Sequence, residues 1–246
     1  MKNYNFSDIE FINNLINENQ LPIPLNDPNK WHQNKRGEQF DIIWNKSKFS
    51  RIIGIRIHGH KIKVLNFPKD NKIIYLECGN NGLKEIDLSS LKDLHFLSLP
   101  NNLLTQISLS NNPYLRTVTL NQNKISILDV RENKRLREIY IAKNQLKNIS
   151  AIGNNIIEYI DYSYNNLPDF SFDYFQNLRY LICTNNNIIK LDTSKLPLLH
   201  YLDCSNNHLS EINISNCPEL IILDCENNQI KELDTSSNPK LETLVK

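Results

Sequence analysis

The stretch LHYLDCSNNHLSEINISNCPE, residues 199–219, runs without a gap into LIILDCENNQIKELDTSSNPK, residues 220–240. Leu199, Leu202, Cys204, Asn207 and Leu209 recur as Leu220, Leu223, Cys225, Asn228 and Ile230, all at an offset of 21. A pattern copied at a fixed offset is one structural unit used again, and its period dictates how units stack. Working outward from this pair, the same frame begins at Ile52, Ile73, Leu94, Leu115, Leu136, Ile157, Leu178, Leu199 and Leu220, with a tenth opening at Leu241. No insertion or deletion interrupts it. Positions 1, 4, 6 and 11 of the frame are apolar. Position 9 is Asn in eight units (Asn81, Asn102, Asn123, Asn144, Asn165, Asn186, Asn207 and Asn228), and His60 stands there in the first.

Around positions 3 to 7 the side chains alternate outward and inward, the period-2 signature of a strand with one buried face. One short strand per unit follows, and strands that recur in the same orientation must run parallel, stacked about 4.8 Å apart. Nine of them make a sheet roughly 40 Å long. After position 8 the chain turns, and a buried Asn can bond the backbone groups that the turn leaves unpaired, each of which would otherwise cost about 1 to 3 kcal/mol. The second half of a unit, typified by LDTSSNP at 233–239, supplies residues that close turns through side-chain bonds or a fixed φ. Asp87, Asp129, Asp192 and Asp234 fall in that outer turn and read as turn residues.

The frame resembles the leucine-rich repeat, L-x-x-L-x-L/C-x-x-N-x-L, over residues 52 to 246. The 21-residue length and the Cys at position 6 are most similar to the bacterial internalin-like subclass with a cysteine ladder. The resemblance implies an α/β solenoid: a right-handed superhelix with a parallel concave sheet, a mostly irregular or 3₁₀ convex side and an N-terminal helical cap. The motif is highly specific for fold and poorly specific for function, because a fold does not name a function.

Isolated units cannot bury both stacking faces, so the array needs capped ends. Residues 1–51 read as the N-terminal cap and 52–246 as the solenoid of nine units and the start of a tenth. FSDIEF predicts a capping box, with Ser7 as N-cap, Glu10 at N3 and Phe6 with Phe11 as a hydrophobic staple, opening a helix from about 8 to 18. A strand near 40 to 44 then returns toward the first repeat strand. The resemblance places a Trp in such caps, and Trp44 fits that position loosely. At the other end Leu241 and Leu244 start a tenth strand, and Lys246 falls where an inward apolar residue is expected; a charge there blunts the edge, unless the end pairs with a second copy or the chain continues.

The chain of 246 residues holds 28 basic and 27 acidic residues and is 40% hydrophobic. A balanced charge gives no global attraction to nucleic acid or an anionic membrane, and no run approaches the roughly 18 apolar residues of a membrane span. The N-terminus lacks the apolar core of a secretion signal, so the chain as written reads as cytoplasmic, export by a non-classical route aside. Five cysteines are too sparse for a disulfide framework and predict reduced thiols. Cys78, Cys183, Cys204 and Cys225 point inward at position 6 and read as packing; Cys217, in the outer turn SNCP, reads as partly exposed.

The HGH at 58–60 does not make a metal pair, because position 7 faces out and position 9 faces in. No catalytic set, phosphate loop or zinc signature fits the register, so no catalytic residue, cofactor or metal is expected. What remains is the outward face of the sheet. It carries Tyr75, Phe96, Tyr159, Tyr180 and Tyr201 at position 3, Tyr140, Asp161, Asp203 and Asp224 at position 5, and Glu226 at position 7. Aromatic residues suit strands, but like charges on adjacent strands are destabilising. That makes these ten residues the candidate partner-binding surface, with Tyr anchors and acids complementary to a basic protein. The function expected is non-enzymatic protein recognition, by a monomer more readily than by a dimer paired through its C-terminal edge. The alternatives are the substrate-recognition part of a larger enzyme, adhesion or host contact, and glycan binding.

Overall fold

The computed structural model of the protein describes residues 3–35, 37–167 and 170–246. Its spine is a sheet of 12 strands. His32–Lys35, Glu38–Trp44 and Ile52–His58 pair antiparallel at one end. From Ile52–His58 onward every pairing is parallel and in strict 21-residue register, as in Gly54 with Tyr75, Tyr159 with Tyr180 and Asp203 with Asp224. The repeat strands are three residues long, because only positions 3 to 5 are extended before the chain turns. Position 4 is fully buried from Ile55 through Leu223. Each such aliphatic side chain contributes about 1.5 to 3 kcal/mol by leaving water, and stacking neighbours supply the surface that removes it.

Two turns flank each strand, and the backbone of each is satisfied by side chains. At position 9 all eight asparagines bridge the same neighbouring turns, with Asn81 meeting Cys78 Sγ where the others bond the carbonyl three residues back. Asn102 donates from Nδ2 to Cys78 O at 2.8 Å and Leu99 O at 3.1 Å, while its Oδ1 accepts from Leu83 N at 3.1 Å. The bond to the carbonyl 24 residues earlier recurs from Asn81 to Asn228. Just before it, position 8 is left-handed in every unit: Asn80, Asn101, Gln122, Lys143, Tyr164, Asn185, Asn206 and Asn227 have φ between 52 and 59°, and Gly59 has 74°. Asn tolerates this region better than other residues with a side chain. The excess of NN pairs in the sequence therefore has two separate causes.

A second Asn ladder, absent from the expectations above, runs along the outer turn. Asn112, Asn133, Asn154 and Asn238 each donate to a carbonyl 24 residues back. Cys217 occupies the same rung and is fully buried, its Sγ 3.8 Å from Thr193 O. The expected partial exposure of Cys217 is thus corrected: it fills a ladder position. Phe175 fills another, packed with Phe170 and Phe172. The outer-turn acids behave as turn residues, Asp87, Asp129, Asp192 and Asp234 each accepting the N–H two residues on. Elsewhere the return path is irregular, with a short pairing of Ile127–Asp129 and Asn148–Ser150 and a single bridge between Asp192 and Asn213 among the described residues.

The helix α1 spans Phe6–Glu18 and buries Phe11, Ile12, Leu15 and Ile16. Its N-cap is Asn5, whose side chain accepts from Asp8 N at 3.2 Å, and not Ser7. Residues 3 and 4 pair with Phe49–Ser50, which holds the chain extended up to Asn5 and lets the helix begin two residues early. Phe6 is consequently 78% exposed and forms no staple; Phe11 packs instead near Phe67. Buried Asp8 accepts from Arg51 Nε at 3.0 Å and Ile52 N at 2.8 Å, tying α1 to the first repeat strand. In the cap Trp31 is the fully buried Trp, donating to Pro24 O, and Trp44 stacks on it at 6.3 Å.

Candidate functional site

The outward side chains at positions 3, 5 and 7 form two clusters separated by Ser98, Thr117 and Thr119. The first lies beside the cap. Tyr75 and Phe96, adjacent in register, stack with centroids 4.6 Å apart and planes 7° from parallel. Arg56 lies over the Tyr75 ring at 4.9 Å and pairs with Glu77 at 3.2 Å and Asp41 at 3.8 Å. His58 approaches Glu77 at 3.5 Å, and the Tyr75 hydroxyl bonds the same carboxylate. The bond from His58, then those from Tyr75 and the charge of Arg56, hold the Glu77 carboxyl below its usual range despite partial burial. Every charge here has a partner. The diverging rings expected for HGH are as observed, since His60 turns inward to meet Phe40 edge-on.

The second cluster begins at Glu138. Tyr140, Tyr159, Tyr180 and Tyr201 form a continuous row with successive centroids 4.6, 6.0 and 6.4 Å apart. Tyr180 is 43% exposed, and the His200 ring, one position before the strand, stacks against it at 6.5 Å. Around the row stand Glu138, Asp161, Asp203, Asp224 and Glu226. No Lys or Arg occupies positions 3, 5 or 7 in units five to nine, and none of these five carboxylates forms a salt bridge among the described residues. Partial burial, and next the Asp161 charge, push the Tyr159 hydroxyl up to about 12. Partial burial followed by Asp203 and Asp224 raises Tyr201. The row is therefore a strip of phenol rings set among carboxylates, whose charge helps to keep the Tyr159 and Tyr201 hydroxyls protonated.

The acids are not wholly dispensable to the fold. Asp161 Oδ1 accepts from Ser163 N at 3.0 Å and from its hydroxyl. Asp203 does the same with Ser205, and Asp224 accepts from Glu226 N at 3.1 Å. One oxygen of each carboxylate closes the strand end. Sequence reasoning named the ten face residues but missed Glu138, His200 and the Arg56 network. The first two were visible as register positions; the Arg56 network depends on Asp41, contributed by a cap strand whose pairing the repeat does not encode.

No reactive thiol joins the face. All five cysteines are free and buried, and burial pushes Cys78 and Cys183 up to about 12, far from the thiolate a nucleophile or metal ligand requires. Among the described residues no group of three or more His, Cys, Asp or Glu could hold a metal ion. Nor, among them, is any helix long and apolar enough to cross a membrane.

No family model matches the chain, and no curated protein matches it. Solved structures do. The functional domain of InlJ from Listeria monocytogenes, which includes a cysteine ladder, superposes with a TM-score of 0.70 and 28% identity over 78% of this chain and 44% of that one. A leucine-rich repeat protein of Leptospira interrogans gives 0.70 and 23% over 75% of this chain and 52% of that one. Internalin C2 from Listeria monocytogenes gives 0.60 and 21% over 69% and 78%. The chain thus spans about half the length of the first two structures.

Proposed function

We propose that this chain, a solenoid of stacked parallel strands similar to internalin-type leucine-rich repeat structures with a cysteine ladder, is a non-enzymatic recognition module that binds a protein on the outward face of its sheet. The binding surface is the row Tyr140, Tyr159, Tyr180 and Tyr201 with Asp161, Asp203, Asp224 and Glu226. Tyr75 and Phe96 form a separate, charge-balanced patch near the cap. The observation that carries this reading is the row of four tyrosines embedded among carboxylates that form no salt bridge among the described residues. Tyr supplies large contact area with little entropy to lose, and unbalanced acids steer a basic partner and fix its register. Both features cost the free protein something, because the acids repel and the rings stay partly wet.

The test compares proteins captured from the source cell by the wild-type chain and by a variant combining Tyr180→Ala, Tyr201→Ala, Asp203→Asn and Asp224→Asn. Asn keeps the oxygen that closes each strand end, and circular dichroism with urea unfolding confirms the fold first. A partner lost by the variant supports the reading; an unchanged set of captured proteins overturns it. Retention on glycans that survives removal of the acids would favour a carbohydrate ligand instead.

A further inference from the structure

The flank where the chain enters the sheet strands carries the opposite sign to the face. Positions 20, 21 and 2 of the frame place Lys72, Lys92, Lys134, Arg116, Arg135 and Arg137 along one side of units one to five. The acids on the same stretch, Asp93 and Glu158, are already engaged, Asp93 by Lys72 at 3.9 Å and Glu158 by Arg137. Arg116 is exposed and its side chain makes no hydrogen bond, ion pair or ring contact among the described residues. Arg135 lies over the Tyr114 ring at 4.6 Å with no carboxylate partner among the described residues, and the His95 ring meets Tyr114 edge-on at 6.1 Å. The three residues border an open groove of about 410 Å³ lined also by Ile53, Ile74, Asn45 and the paired Lys72 and Asp93. Backbone bonds place Arg116 directly beside His95, Arg116 N donating to His95 O at 2.8 Å.

We propose that this flank is a second docking surface, for an acidic, carboxylate-bearing segment of a partner protein. Arg116 and Arg135 supply planar forks that receive carboxylates bidentately. Tyr114 and the two isoleucines give an apolar contact in the groove that Arg135 borders. An aromatic ring covered by an arginine beside a half-buried aliphatic wall is the composition of a binding hot spot rather than of a merely solvated edge. The chain's near-neutral total conceals this segregation: acids gather on the sheet face of units five to nine, cations on the entry flank of units one to five. The proposal does not rest on the sheet-face reading.

The test is fluorescence anisotropy of the full chain with a short labelled peptide alternating Glu and Leu, its Gln-for-Glu counterpart, and a short oligouridylate. The Glu peptide binds saturably. Arg116→Glu with Arg135→Glu weakens it about tenfold or more, and Tyr114→Ala, which leaves the charge unchanged, weakens it several-fold. Lys124→Glu with Lys147→Glu, an equal charge change at exposed sites away from the flank, leaves it within twofold. Asp203→Asn with Asp224→Asn also leaves it unchanged, which keeps failure here distinct from failure of the sheet-face reading. The proposal is overturned by absence of saturable binding, by equal loss in the Lys124/Lys147 control, by undiminished binding to Tyr114→Ala, or by tighter binding of the Gln peptide or the oligouridylate.

Discussion

Asp203 and Asp224 stand directly opposite each other on adjacent parallel strands, and neither has a cation within salt-bridge distance among the described residues. Directly opposed like charges destabilise a sheet by about 0.2 to 1 kcal/mol. Asp203→Asn removes the repulsion while its side-chain oxygen still accepts from Ser205 N. The variant is expected to unfold at higher urea, by an amount in that range, and to show less stabilisation by added salt than the wild type, because screening has less to relieve. Equal or lower stability at low salt would show that the pair is not under strain.

The position-9 and outer-turn asparagines make different numbers of bonds, and their removal separates them. Asn123 serves Leu99 O, Leu120 O and Leu104 N, all in the interior. Asn133 serves Leu109 O and Asn112 O, and its own Oδ1 accepts nothing. At about 1 to 3 kcal/mol per orphaned buried group, Asn123→Ala is expected to cost about 3 to 5 kcal/mol and Asn133→Ala clearly less. Urea unfolding of the two variants checks the order.

Three position-8 residues are poorly suited to their backbone. Gln122, Lys143 and Tyr164 sit at φ of 59, 56 and 54°. Gln122→Gly is expected to raise stability by up to about 1 kcal/mol, because relief of the left-handed penalty exceeds the extra entropy of a Gly in the unfolded chain. Asn101→Gly, which also breaks a bond from Asn101 Nδ2 to Asn80 Oδ1 at 2.6 Å, should gain nothing. Thermal unfolding of both proteins tests the pairing.

The buried thiols make stability depend on alkaline pH. Cys78 and Cys183 titrate near 9.0 when unfolded and near 12 in the folded chain because burial disfavours the thiolate. A raised folded value means their contribution is complete below pH 9 and is lost as pH rises from there toward 12, where the unfolded chain releases protons that the folded one retains. Ellman's reagent at pH 8 is expected to leave all five cysteines unmodified in the folded chain and to modify all five in denaturant. Rapid labelling of one thiol under native conditions would contradict its burial.

The repeat frame made the sheet, its register and the inward cysteines legible, since apolar residues at positions 4 and 6 allow only one orientation of each strand. It misled at α1, where Ser7 and Glu10 match a capping box but the pairing of Asn3–Tyr4 with Phe49–Ser50 sets the start at Asn5. It also hid Cys217, because an outer turn looks exposed until the turns of neighbouring units stack over it.

The candidate site divides in the same way. That Tyr159, Tyr180 and Tyr201 share one face follows from a spacing of 21 alone. That Asp161, Asp203 and Asp224 also close their own strand ends does not, because a carboxylate's partner depends on how sharply the backbone turns after it. Sequence by itself determined the period, the parallel register and which side chains face out, since these follow from periodic burial repeated unit after unit. Tertiary structure alone decided which charges are paired, which turns are left-handed and how cations and acids segregate onto separate surfaces, because those outcomes depend on contacts between residues that stacking brings together across 19 to 24 positions of chain.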